Sequence, residues 1–168
     1  YPGQQTPVGM VFVQGGRFTM GATDDEMPTL ENNSFRRTVS VSSFYMDETE
    51  VSNVSYREYV YWLFRVYGND YADVVLKGMP DSTVWRSPLG FNEFYVKNYF
   101  WHAAYNNYPV VGINWYQAND FCQWRTDRVN ELLLIYKGEL RPNATQSGED
   151  VFTTESYLTG NYQGTVGP

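Results

Sequence analysis

The stretch that most constrains how this chain can fold is PVVGINWYQANDFCQWR, residues 109–125. An extended apolar approach through Val110, Val111 and Ile113 ends at Asn114, whose short amide suits a helix N-cap. Gln117 follows three residues on, where it can reach back to the cap backbone and close a capping box. Trp115, Ala118, Phe121, Cys122, Arg125 and Val129 then recur at spacings of three and four, which predicts one helical stripe facing a core. Leu132, Leu133 and Ile135 carry the helix to about residue 136, and Gly138 is placed to stop it. On this reading Trp115, Phe121, Cys122 and Trp124 are structural core, and Trp115→Ala should cost about 3–5 kcal/mol.

Such a helix needs a core to pack on, and 168 residues with 42% hydrophobic and 18% aromatic content supply one domain or part of one. The net charge of −7, with no cluster of Lys and Arg, excludes the basic face that nucleic-acid binding requires. It also speaks against attraction to anionic membranes. No apolar run is long enough to span a bilayer, and no signal-peptide pattern stands at Tyr1. The expectation is a chain that begins after any targeting segment or never has one. Cys122 is the single cysteine and can form no internal disulfide.

Residues 1–9 are rich in Pro, Gly and Gln and read as a linker. Residues 10–13 and 17–20 read as two strands of a hairpin turning at Gly15-Gly16. Residues 21–34 form an acidic loop holding Asp24, Asp25, Glu26 and Glu31, without the alternating spacing and central glycine of a calcium loop. Residues 36–46 alternate as a half-buried strand. A helix then starts near Ser52 or Asn53, with Ser55 and Glu58 as a capping pair and Tyr56, Tyr59, Val60, Leu63, Phe64 and Tyr67 as its apolar stripe. Asp47 and Glu50 bracket that turn and are read as acceptors for exposed backbone N–H groups. Residues 70–77 predict a second, short helix. Residues 81–108 have few regular signals but many aromatics, including Trp85, Tyr95, Tyr99, Trp101, Tyr105 and Tyr108, and read as a packed excursion over the core. Residues 138–168 turn polar, as a tail or the start of an insertion, leaving 10–137 as the folded part.

Catalytic signals are sparse. His102 is the only histidine, and a nucleophile such as Cys122 needs a base beside it. Zinc needs three or four ligands of the Cys, His or carboxylate type, and no phosphate-binding glycine loop occurs. No catalytic, metal or cofactor-binding residue is assigned. From its residues alone the chain reads as an acidic, aromatic-rich α+β domain.

Three segments add a family. MVFVQGGRFTMG (10–21), VSVSSFYMDETEVSNVSYREYVYW (39–62) and PVVGINWYQANDFCQWR (109–125) together resemble the sulfatase-modifying-factor family, the domain of formylglycine-generating enzymes. The resemblance implies an irregular α+β fold related to C-type lectins, with short strands and two main helices, and this chain covering its N-terminal half only. Within the family, residues 36–53, 59–68, 79–86 and 98–131 are similar to the gliding-motility lipoproteins of Bacteroidetes. That likeness implies a non-enzymatic component of the type IX secretion machinery, lipid-anchored at the periplasmic face of the outer membrane. Its implied partners are other secretion lipoproteins and outer-membrane translocon components, with no cofactor. It also implies that Ser82, in Asp81-Ser82-Thr83, is a candidate O-glycosylation acceptor. The family's catalytic cysteines belong to the other half, so none is carried over, and Cys122 matches a core position. The alternatives are an oxidase of the same fold whose active half is missing here, and a carbohydrate-binding module whose aromatics stack on sugars.

Overall fold

The computed structural model describes residues 6–21, 36–68 and 70–167. The chain divides into two compact units, Tyr1–Thr49 and Glu50–Pro168. The acidic loop of Asp24, Asp25, Glu26 and Glu31 lies outside the described residues.

The first unit is a bent two-stranded ribbon. β1 (Met10–Val13) runs antiparallel to β4 (Phe44–Asp47), and β2 (Gly16–Met20) runs antiparallel to β3 (Arg37–Val41). The expected hairpin between residues 10 and 20 does not form. Neither Gly15 nor Gly16 takes the positive φ that a two-residue hairpin loop demands. Gly15 instead marks a close backbone approach: a Cβ there would lie 2.6 Å from both the Ser43 nitrogen and the Val41 carbonyl oxygen, whereas one on Gly16 would meet nothing. The Gly15 N–H donates to Ser43 Oγ at 2.9 Å across that gap. This register sets Phe18 opposite Val39 and Val13 opposite Phe44, so apolar side chains share a face. A hairpin of β1 on β2 would leave the backbone of residues 37–47 without that partner strand.

The second unit holds the main core. α1 (Asn53–Tyr67) is capped by the Ser52 hydroxyl, which accepts from the Ser55 N–H, so Ser52 takes the cap that the Ser55–Glu58 pair is read to supply. Its inward stripe is Tyr56, Tyr59, Val60 and Leu63. α2 (Ala72–Gly78) lies close against it, and Gly78 permits the approach, since a Cβ there would meet Leu63 Cδ1 at 2.6 Å. The Tyr56 hydroxyl, inside the core, donates to the Gly78 carbonyl at 3.0 Å. Burial pushes the Tyr56 and Tyr59 phenols up, that of Tyr59 to about 12, which keeps both neutral and able to sit in an apolar interior.

The long helix 114–136 is present as α4 (Trp115–Tyr136), and the Asn114–Gln117 capping box forms in both directions at 3.0 and 2.8 Å. Its phase differs from the expected one. Phe121 is buried and Trp124 packs against the core, but Trp115 is 71% exposed and Cys122 is exposed as well. The stripe that faces inward runs through Gln117, Phe121, Trp124, Arg128 and Glu131. Trp115 precedes Gln117 by two residues and is therefore turned roughly 160° away around the helix, while Cys122 is turned about 100° from Phe121. Polar residues occupy the inner stripe because each finds a partner there. Gln117 Nε2 donates to the carbonyls of Lys77 at 2.8 Å and Met79 at 2.7 Å, fastening α4 to the end of α2.

The other inward polar residues hold the segment after Gly138. Arg128 donates to Gln146 Oε1 at 3.2 Å and to the Phe152 carbonyl at 2.6 Å, and it pairs with Glu131 at 3.1 Å. Its guanidinium lies over the Trp62 ring, 5.0 Å from the centroid. Gln146 also donates to Glu131, and Asp127 accepts the Thr154 N–H at 2.8 Å at the start of α5 (Thr154–Thr159). Leu140, Val151 and Phe152 are buried beside this network, so a stretch that reads as polar in sequence is packed. Burial pushes the Glu131 carboxyl up and the Arg128 guanidinium down even though they pair, the mark of an ion pair taken largely out of water.

Candidate functional site

The aromatic excursion is where this chain concentrates packed rings and buried polar ties. It is folded throughout: a 3-10 turn at Ser82–Trp85, α3 (Glu93–Asn98) and a second 3-10 turn at Ala103–Tyr105. Asp81 caps the first turn, accepting from the Thr83 N–H at 2.8 Å and the Thr83 hydroxyl at 2.6 Å, and these bonds hold its carboxyl below the usual range. The Asp81 N–H donates to the Gly112 carbonyl at 2.7 Å, and Gly112 has a φ of +83° with its α-carbon pressed on the Asp81 backbone, so only glycine suits that crossing. Arg86 bonds Glu93 at 2.8 Å and ties the turn to α3.

Buried amides pin the far side. Asn53 Nδ2 donates to the carbonyls of Tyr99 at 3.2 Å and Tyr105 at 2.9 Å, and Arg57 donates to the Phe100 carbonyl and Asn106. The Tyr99 hydroxyl donates to the Pro109 carbonyl at 2.8 Å. Burial, with a smaller contribution from the Tyr108 phenol and the Glu50 carboxylate, pushes the Tyr99 phenol up. The rings so held form one connected array: Trp85 to Tyr99 at 4.6 Å, Trp85 to Tyr95 at 5.5 Å, Tyr99 to Tyr105 at 5.2 Å and Tyr105 to Tyr108 at 5.5 Å between centroids. Between the 3-10 turn and α3 lies a cavity of about 120 Å³ whose wall mixes the rings of Trp85, Tyr95, Tyr99 and Trp101 with aliphatic Met79, Pro80, Val96 and Val111, and with Ser82 and Lys97. The turn of residues 87–90 exposes Leu89 fully, and Phe91, just after it, is 91% exposed.

The residues singled out in the sequence fall in different places. Ser82 is half-buried and lines the cavity. His102 is exposed, and its Nδ1 accepts from the Ala104 N–H at 3.2 Å as a turn cap. Trp115 and Cys122 sit on the outer face of α4, away from the core stripe. Glu50 accepts no hydrogen bond from a described residue; the α1 cap it is read to assist is filled by Ser52. Among the described residues, no group of three or more His, Cys, Asp or Glu could hold a metal ion, and no helix is long and apolar enough to cross a membrane. The cavity escapes a reading of the sequence because its walls come from positions 79 to 111 with no fixed period. Its one local signal is the density of aromatics.

The profile of the sulfatase-modifying factor enzyme 1-like domain matches residues 2–154, which is most of the chain. This chain belongs to that family. Among curated relatives of the sulfatase-modifying factor family, the chain is 27% identical to the formylglycine-generating enzyme of Mus musculus over 143 residues, 71% of this chain and 36% of that enzyme. It is 27% identical to the formylglycine-generating enzyme of Bos taurus over 146 residues, 73% of this chain and 37% of that enzyme. The chain therefore spans little more than a third of the length of the relatives it matches. No solved structure matches it significantly. The mixed α+β architecture, with short strands and several helices, is that of a sulfatase-modifying-factor-like domain.

Proposed function

We propose that this sulfatase-modifying-factor-like domain is a non-catalytic interaction component of the GldJ type, serving type IX secretion and gliding motility. In this reading it stands at the periplasmic face of the outer membrane, held by a lipid anchor outside the present sequence. Other secretion lipoproteins and translocon components are its partners. The observation that carries the reading is the ring array of residues 85–108, ordered by buried hydrogen bonds while Leu89, Phe91 and Phe94 are presented to solvent. Rigid aromatic and apolar groups displayed in this way suit protein contacts. Capture of the tagged full-length protein from native envelopes tests it. Identified secretion components should be recovered, and Phe91→Asp should reduce their recovery several-fold. Recovery of none would remove the reading.

The second reading is a formylglycine-generating oxidase, favoured by what the two curated relatives are. In that case the chemistry belongs to residues beyond those described. The Ser82 acceptor belongs to the first reading, and its half-buried side chain lines the cavity beside these rings.

A further inference from the structure

Asn53 opens α1 from inside the core. It is 0% exposed, and its side-chain amide is turned to the segment of residues 99–108. Both hydrogens on Nδ2 are engaged, by the carbonyls of Tyr99 at 3.2 Å and Tyr105 at 2.9 Å, and the backbone N–H donates to the Tyr108 carbonyl at 2.8 Å. Those two side-chain bonds fix which end of the amide is nitrogen, because the reverse orientation would set oxygen against oxygen twice. Oδ1 is therefore a buried acceptor to which no described residue donates. The Tyr99 hydroxyl is close by: burial pushes that phenol up, and the Asn53 amide acts on it in the opposite sense. Tyr99 is 8% exposed, and its hydroxyl gives its hydrogen to the Pro109 carbonyl. The phenolic oxygen keeps its lone pairs and, among the described residues, receives no hydrogen bond.

Two neighbouring buried acceptors with no hydrogen to share restrict what can sit between them. A partner protein cannot supply the donor, since Asn53 has no surface open to one. A metal cation needs several oxygens at once. The carbonyls of Tyr99, Tyr105 and Tyr108 are already turned to the N–H groups of Asn53, whose positive ends would face such an ion. An apolar group would leave both oxygens unsatisfied, which a folded interior rarely tolerates. A water molecule brings two hydrogens and is held inside proteins by about two to four polar partners. We infer that one buried water molecule bridges Asn53 Oδ1 and the Tyr99 hydroxyl oxygen, donating one hydrogen to each. It completes the tie between the first turn of α1 and the segment that carries the ring array. The inference concerns the inside of the domain and stands apart from the secretion reading.

A high-resolution crystal structure of the full-length protein tests it. The expected result is a single ordered water at about 2.5–3.0 Å from both Asn53 Oδ1 and Tyr99 Oη, as firmly placed as the side chains around it. Asn53→Leu keeps the branching of the side chain and removes its oxygen, so the water should be lost. Should that variant fail to fold, Tyr99→Phe, which leaves the ring in the array, should lower the occupancy of the water at least twofold. Three results would overturn the inference. One is no ordered water within reach of Oδ1, whatever else satisfies that oxygen. Another is a peak ringed by several oxygens at the shorter distances of a metal ion. The third is a water retained at full occupancy in either variant, which would mean that other groups hold it. A failure here leaves envelope capture unaffected, so the two proposals fail separately.

Discussion

Phe121→Ala should lower the stability of this chain by about 3–5 kcal/mol, the cost of removing a large aromatic from a packed interior. The Phe121 ring is stacked on Tyr56 at 5.5 Å and 18°, meets Tyr59 edge-on at 5.7 Å and 88°, and touches Trp124 at 5.6 Å. These partners belong to α1 and to α4 itself, so the cavity left behind would be bordered by rigid rings that cannot collapse into it. Denaturant unfolding should show a lower midpoint with an unchanged slope. Trp115→Ala, measured alongside, should change stability by no more than about 0.5 kcal/mol, as exposed substitutions do. Similar losses for both variants would show that α4 is packed in the other phase.

The second large effect belongs to Arg128. Replacing it by methionine keeps the length of the side chain but removes the donors to Gln146 and Phe152, the partner of Glu131 and the cation over Trp62. Glu131 would be left as a buried carboxylate bonded only by Gln146, and removing one member of a buried pair costs about 3–5 kcal/mol. Adding Glu131→Leu should restore part of that loss, with a coupling of about 0.5–3 kcal/mol in a double-mutant cycle. The same pair gives a sign for pH. Burial raises the Glu131 carboxyl in the folded state, so its contribution is full below the unfolded-state value and declines as pH rises through the folded-state value. Equal stability of the single and double variants would mean that the segment after Gly138 is not held by this network.

What the sequence revealed was local. Asn114 and Gln117 announce the start of α4 because a capping box needs only four consecutive residues, and the apolar stripe of α1 is legible through Tyr56, Tyr59, Val60 and Leu63, although Phe64, read into the same stripe, is exposed. The phase of α4 was hidden for the opposite reason. Gln117, Asp127, Arg128 and Glu131 look like a solvated face until the carbonyls of Lys77 and Met79, and the segment from Gln146 to Thr154, arrive as partners from elsewhere in the chain. Gly15-Gly16 misleads similarly, since a glycine pair signals a tight turn and a close backbone crossing equally well. Which of the two applies depends on residues 41–43, distant in sequence. The cavity of Ser82 and Lys97 depends on tertiary placement alone.

We propose that this domain of the sulfatase-modifying-factor family serves contacts instead of oxidation. Incubation of the full-length protein with a cysteine peptide under oxygen, followed by mass spectrometry for conversion of the thiol side chain to an aldehyde, tests it most directly. The account predicts a peptide unchanged in mass beside an active formylglycine-generating enzyme run in parallel. Turnover to the aldehyde would contradict it and would make the oxidase reading the correct one.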